Sequence, residues 1–203
     1  SGLTSLIIPN SVQVVGDRAF SGVPITALTL GASLAIWDDT TNDRDPFYGI
    51  CSTLISAEIN SSEIPDHAFD GCSKLTSLTL GNSVIAIGVA AFSGLDALEE
   101  LVIPSSVTRL GSSSFTGAAS LKELIIPDSV TVLGSSAFSG ASKLESLTLG
   151  NGITSLENYV FKGSGSLSSV VIPESVIAIG YEAFKDSGLT SLIIPNSVQV
   201  VGD

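Results

Sequence analysis

The chain has 203 residues, 44% apolar and 14% charged, with 20 Gly and a formal net charge of −12 from 20 acidic and 8 basic residues. That hydrophobicity excludes disorder, and the acidity disfavours phosphate backbones and anionic lipid, so no nucleic-acid partner is expected. No run approaches the roughly 20 apolar residues of a membrane-spanning helix, so no membrane insertion is expected in this segment.

An internal repeat organises the rest. A recurring Leu or Ile opens a new unit at Leu3, Ile25, Leu54, Leu75, Leu98, Leu121, Leu144, Leu167 and Leu189, mostly 21–23 residues apart. We number these units coils 1 to 9. The cleanest read LEELVIPSSVTRLGSSSFTGAAS (98–120) and LKELIIPDSVTVLGSSAFSGASK (121–143), with the shared pattern LxxLxIPxxVxxLGxxAFxGxxx. In coil 6, Leu121, Leu124 and Ile126 fit an extended segment with its apolar side chains turned inward. Pro127 ends that segment because it has no N–H for a ladder. Gly31, Gly81, Gly150 and Asn60 occupy the same slot in other coils. Val130 and Leu133 supply a second short strand before Gly134. All eight Phe (residues 20, 47, 69, 92, 115, 138, 161 and 184) fall in one slot, which predicts a continuous internal column of rings. One coil cannot bury its own apolar face, but stacked neighbours can. The prediction is a single mostly-β solenoid over 1–203, with ~23-residue turns, parallel strands and little helix.

Taken in chain order, coil 1 opens with SGLTSLIIPNSVQVVGD (1–17), which returns unchanged at 187–203. Neighbouring coils share only slot residues, so this identity points to a super-repeat of 186 residues in a longer array, or to an engineered match of the two ends. The chain also begins and stops in mid-pattern, and reads as an excerpt.

Coil 2 is longer than its neighbours and carries WDDTTNDRDPFY between Trp37 and Tyr48. Insertions in solenoids project as loops, often on a binding face. A solvated loop is the first reading of this segment. Partner contact through Trp37 and Tyr48 is the second, and a Ca²⁺ site on Asp38, Asp39, Asp43 and Asp45 the third. The DxDxDG spacing and fixed Glu of a calcium loop are absent.

Cys51, at the end of coil 2, and Cys72, at the end of coil 3, occupy one slot in successive coils. Stacking places them within reach of a disulfide, while two small buried thiols are the favoured reading. Coil 3 also carries Asn60-Ser61-Ser62, a formal glycosylation sequon in a turn slot expected to be exposed. His67, the sole histidine, has no nucleophile pattern or second ligand beside it.

Across all coils, the outward position of the first strand holds Ile7, Thr29, Glu58, Thr79, Val102, Ile125, Thr148, Val171 and Ile193. β-branched residues suit strands in any case. Stacked, they also form a mildly apolar face with few charges, the mark of a contact surface. No paired carboxylates in an evident pocket, no Ser/His/Asp set and no phosphate loop stand in the sequence, so neither catalysis nor a cofactor is expected.

The motif, with its IP, IG and AF doublets at matching offsets, closely resembles the BspA-type leucine-rich repeat over essentially the whole chain. Departures are local: Asn60 stands in the Pro slot, Glu157 in the Gly slot, and only two coils carry Cys. The resemblance implies a right-handed, strand-lined solenoid in a cell-surface or extracellular protein. It also implies adhesion to host or matrix proteins, without catalytic residues or cofactor. A structural element of a long filament, sheath or surface layer, self-associating end to end or laterally, is the alternative.

Overall fold

The structure, a computed structural model, describes residues 2–16, 18–34, 36–37, 47 and 49–202, and the side chains of Ile36 and Trp37 are not described. It is a β-solenoid of stacked coils with parallel strands. The only helix among the described residues is a 3-10 turn at Ile50–Ser52.

Each coil contributes up to two strands. The longer ones are β1 (Ser5–Ile8), β3 (Ala27–Leu30), β5 (Ser56–Ile59), β7 (Ser77–Leu80), β10 (Glu123–Ile126) and β12 (Ser146–Leu149). The two-residue strands are β2 (Val14–Val15), β4 (Ile36–Trp37), β6 (Glu63–Ile64), β8 (Ala86–Ile87) and β9 (Arg109–Leu110). They continue with β11 (Val132–Leu133), β13 (Ser155–Leu156), β14 (Ala178–Ile179) and β15 (Val200–Val201). All pairings are parallel and in register, so each side chain stacks on its equivalent one coil away; Leu28, for instance, lies between Leu6 and Ala57. Within β7, β10 and β12 the alternation is strict, the Leu and Ile positions buried and the residues between them exposed.

The Phe side carries a third ladder, one that the repeat pattern alone does not reveal. At every interface from coil 3 to coil 8, the residue two before Phe, the Phe itself and the residue two after it donate their amides to the next coil. In coil 5 these bonds run from Ser113 to Ser135, Phe115 to Ala137 and Gly117 to Ser139, each at 2.8 Å. This geometry requires left-handed backbone on both sides of the ring. The residue before takes φ of 51–61° in Arg18, His67, Ala90, Ser113, Ser136, Tyr159 and Glu182. Each costs on the order of 1 kcal/mol, and the ladder bonds offset it. The residue after is Gly in most coils, at φ of 69–85°.

Between the ladders, Phe69, Phe92, Phe115, Phe138 and Phe161 are fully buried. Their rings stack with centroids 5.2–6.0 Å apart. Phe20 and Phe184, near the two ends, remain partly open. The predicted column is present.

Candidate binding surface

The outward row of the first strands lies as the periodicity requires. Ile7, Thr79, Val102, Ile125, Thr148 and Val171 are all exposed, Val102 and Val171 to 78% and 82%. Thr29 alone in that row is half-buried.

The strand ladder beneath this row is not continuous, and one slot decides where it breaks. Ladder bonds at the strand end run backwards, from the amide of the later coil to a carbonyl of the earlier one. Gly31 donates to Ile8 at 2.8 Å, Asn60 to Leu30 at 2.9 Å and Gly81 to Ile59 at 2.8 Å. Full four-residue pairing accompanies each of these, and also joins β10 to β12, where Gly150 fills the slot. Where the later coil has Pro in this slot, the donor is missing. No first-strand pairing joins coil 4 to coil 5 (Pro104), coil 7 to coil 8 (Pro173) or coil 8 to coil 9 (Pro195). Coils 5 and 6 (Pro127) retain only an isolated bridge, Glu100 to Glu123.

The second ladder follows a related rule. Gly88, Gly111, Gly134, Gly180 and Gly202 each donate to the preceding coil at 2.7–2.9 Å. A Cβ at Gly111 would come within 2.5 Å of Gly88 backbone, so the close approach needs glycine. Coil 7 has Glu157 in that slot, and β11 and β13 do not pair with each other. A shallow cleft of ≈ 280 Å³ opens there beside Glu157, lined largely by Ser and Thr.

A larger cleft, ≈ 480 Å³, lies on the strand face between coils 5 and 6. Leu101 and Ile103 are buried residues along it, Val102 and Ile125 are its exposed apolar wall, and Glu99, Glu100, Lys122 and Glu123 surround them. Lys122 Nζ donates to Glu99 Oε2 at 2.7 Å. That bond and the attached charge lower the Glu99 carboxyl and raise the Lys122 ammonium from their ordinary values. Among the described residues, Glu100 and Glu123 have no cation at ion-pair distance. The sequence reading singled out Val102 and Ile125 but not these glutamates; the signal it passed over was Pro in the slot where laddered coils carry Gly or Asn.

Other candidate positions fare differently. Cys51 and Cys72 are joined as a disulfide with Cα atoms 4.1 Å apart, which corrects the favoured reading of two separate thiols. They do not share one slot in full. An extra residue between Phe47 and Leu54 puts Ile50 in the buried position and leaves Cys51 half-buried beside it. Asn60 is half-buried rather than exposed, because its side chain lies over Gly81 and its Nδ2 donates to Glu58 Oε1 at 3.2 Å. His67 Nδ1 lies 3.3 Å from Asp70 Oδ2 on the exposed Phe-side turn. Asp38, Asp39, Asp43, Asp45 and Tyr48 lie outside the described residues, as does the Trp37 side chain, so the calcium and loop-contact readings keep their standing as sequence expectations. No helix among the described residues is long and apolar enough to cross a membrane.

The family model described as "BspA type Leucine rich repeat region" matches the chain in six copies, over residues 1–115, 40–164 and 86–203. Among solved structures, a leucine-rich repeat protein from Bacteroides ovatus is similar at a TM-score of 0.63 and 23% identity, covering 98% of this chain and 53% of its own. The T. pallidum leucine-rich repeat protein is similar at a TM-score of 0.60 and 24% identity, with 87% and 72% covered. The pneumococcal vaccine antigen PcpA aligns at a TM-score of 0.51 and 19% identity, with 98% and 62% covered. The chain thus spans about half the length of the Bacteroides protein. At these identities the structural likeness concerns the fold. No curated protein sequence matches the chain.

Proposed function

Because the chain belongs to the BspA-type leucine-rich repeat family, we propose that it is a non-enzymatic scaffold, at the cell surface or outside the cell, that binds a protein partner through its strand face. The observation that carries this reading is the outward row. Ile7, Val102, Ile125 and Val171 stand exposed on one face with Thr79 and Thr148 between them, while the strand residues that alternate with them, such as Leu101, Ile103, Leu124 and Ile126, are buried. A contiguous apolar surface of this kind marks a contact site. The 37–48 loop is a second contact element of the proposal. An extracellular setting is supported by the Cys51–Cys72 bridge, since disulfides persist in oxidising compartments. The test is adhesion of cells or matrix protein to the Ile125→Glu/Val171→Glu variant and to a variant lacking 38–46, which keeps Trp37 of β4 and the buried Phe47. Strong loss is expected, and unchanged adhesion in both rejects the reading.

One comparison favours a second reading, a building block of a long extracellular array. Residues 1–17 and 187–203 are identical, exposed positions such as Thr4 and Gln13 included, which fits a repeating unit longer than one coil. Electron microscopy of the native protein distinguishes the readings: ordered fibres of continuous coils support the array, and short separate arcs argue against it.

A further inference from the structure

We propose that the cleft between coils 5 and 6 seats an extended basic segment of the partner, with an arginine between Glu100 and Glu123 and an apolar side chain on Val102 and Ile125. The proposal rests on the strand-face reading and deepens it, naming the partner's chemistry at one place on that face.

Four observations converge on this cleft. First, Pro127 removes the backbone donor that this slot supplies at laddered interfaces, so the face opens here between coils 5 and 6 and encloses ≈ 480 Å³. Second, the position of Glu100 and Glu123 is occupied in the other seven coils by Ser5, Ala27, Ser56, Ser77, Ser146, Ser169 and Ser191. Glutamate appears there only in the two coils that flank the cleft. Third, these two glutamates are bridge partners, directly opposite each other. Like charges in that relation are destabilising, and the neighbouring ammonium of Lys122 is already held by Glu99. Lys122 reaches Glu100 only at longer range and no cation pairs directly with Glu100 or Glu123 among the described residues, so this exposed pair suits a positive group from outside. Fourth, Val102 and Ile125 each follow their glutamate by two residues, on the same outward side of the strand.

That last spacing specifies the ligand. Side chains two apart on an extended chain project to one side about 6.6 Å from each other. A segment lying along the strands with the pattern Arg-x-Val thus meets the glutamates with its guanidinium and the apolar wall with its valine. Arginine suits the pair better than lysine, because its planar fork donates to two carboxylates at once. A second copy of this chain is a poor occupant: it carries net charge −12 and would bring further carboxylates to an acidic cleft.

The experiment uses the full chain and a fluorescein-labelled ten-residue peptide, RSVSRSVSRS, in which arginine and valine stand two apart, followed by fluorescence anisotropy at low ionic strength. Saturable binding is expected, roughly tenfold weaker for the Glu100→Gln/Glu123→Gln variant and strongly reduced in about 0.5 M salt, where charges are screened beyond a few ångströms. Glu63→Gln, which removes a carboxylate from the second strand of coil 3 and not from the outward row, leaves peptide affinity within about twofold. Thermal melting of the double Gln variant at or above the parent value shows that its fold is intact. Absent binding, equal binding of the matching glutamate–valine peptide, or an unchanged affinity in the double Gln variant each overturns the proposal. If any of these occurs while Ile125→Glu/Val171→Glu still abolishes adhesion, only the basic-segment inference falls. Adhesion indifferent to those substitutions removes the strand-face reading itself.

Discussion

The amide of Gly81 donates to the carbonyl of Ile59 at 2.8 Å, and one coil later Pro104 occupies the same slot with no amide to give. β7 pairs with β5 over four residues, and nothing pairs with β7 on its other side. Replacing Pro104 by Gly restores the donor. We expect the ladder between coils 4 and 5 to form and amide exchange across 99–104 to slow in hydrogen-exchange measurements. Stability changes little, because a bond contributing about 1 kcal/mol is offset by roughly 0.4–1 kcal/mol from the freer unfolded chain. Unaltered exchange in this segment would show that something other than the missing donor holds the coils apart.

The second ladder makes the converse prediction. At Gly111 an added Cβ would meet the carbonyl carbon of Gly88 at 2.5 Å, a contact with backbone that no rotamer relieves. Gly111→Ala is expected to lower stability by about 1–3 kcal/mol, read as a shift in urea midpoint. Coil 7 already shows the outcome naturally, with Glu157 in this slot and β13 unpaired from β11.

Phe115 stacks between Phe92 at 5.2 Å and Phe138 at 5.3 Å and is wholly buried. Truncation to Ala removes ring contacts with both neighbouring coils and leaves a cavity the ladders cannot collapse. A loss of about 3–5 kcal/mol is expected. Phe184→Ala, at a half-buried end of the column, should be clearly milder, since solenoid stability is close to a sum of neighbour interfaces. Equal effects at both positions would contradict a nearest-neighbour stack.

Much of this architecture was legible because it depends on period alone. Leu121, Leu124, Ile126, Val130, Leu133 and Phe138 recur at fixed offsets, and fixed offsets in a stack become columns. The Phe-side ladder was not legible, since residues as unlike as His67, Ala90, Ser113 and Tyr159 all adopt positive φ there. No propensity marks that position; the stacking of coils imposes it. The breaks in the strand face were hidden for another reason. Pro and Gly both read as turn residues within one coil, and their difference matters only between coils, where one donates and the other does not. The Cys51 offset came from a single extra residue after Phe47, which shifts Ile50 into the buried slot.

The Cys51–Cys72 bridge closes a loop of sequence separation 21 across coils 2 and 3. Restricting the unfolded chain by a loop of that size contributes about 3 kcal/mol. Reduction should therefore lower the urea midpoint, and the Cys51→Ser/Cys72→Ser variant should match the reduced parent and ignore reductant. The effect concentrates in coils 2 and 3, so exchange of amides beyond coil 5 should scarcely change. A parent protein equally stable with and without reductant would show that the bridge constrains nothing.

Glu182 links coil 8 to coil 7 and gives the fold a defined acid response. Its Oε2 accepts from Lys162 Nζ at 2.7 Å and its Oε1 from Lys185 Nζ. The bond to Lys162 first, then that to Lys185, hold the carboxyl down from 4.5 to about 2. Lys162 also lies 5.1 Å over the Tyr159 ring, so the same ammonium serves both coils. A carboxylate whose folded value is depressed stabilises the fold fully above its unfolded value and loses that contribution as pH falls towards the folded one. The window is therefore from 4.5 down to about 2, with the bridge intact throughout neutral pH. Other carboxylates titrate in the same range, so the informative quantity is a difference. The gap in urea midpoint between the parent and Glu182→Gln should be constant above pH 5 and should close between about 4.5 and about 2. A gap that persists undiminished at the acid end would mean that Glu182 titrates like a free carboxyl and that its two lysines do not hold it.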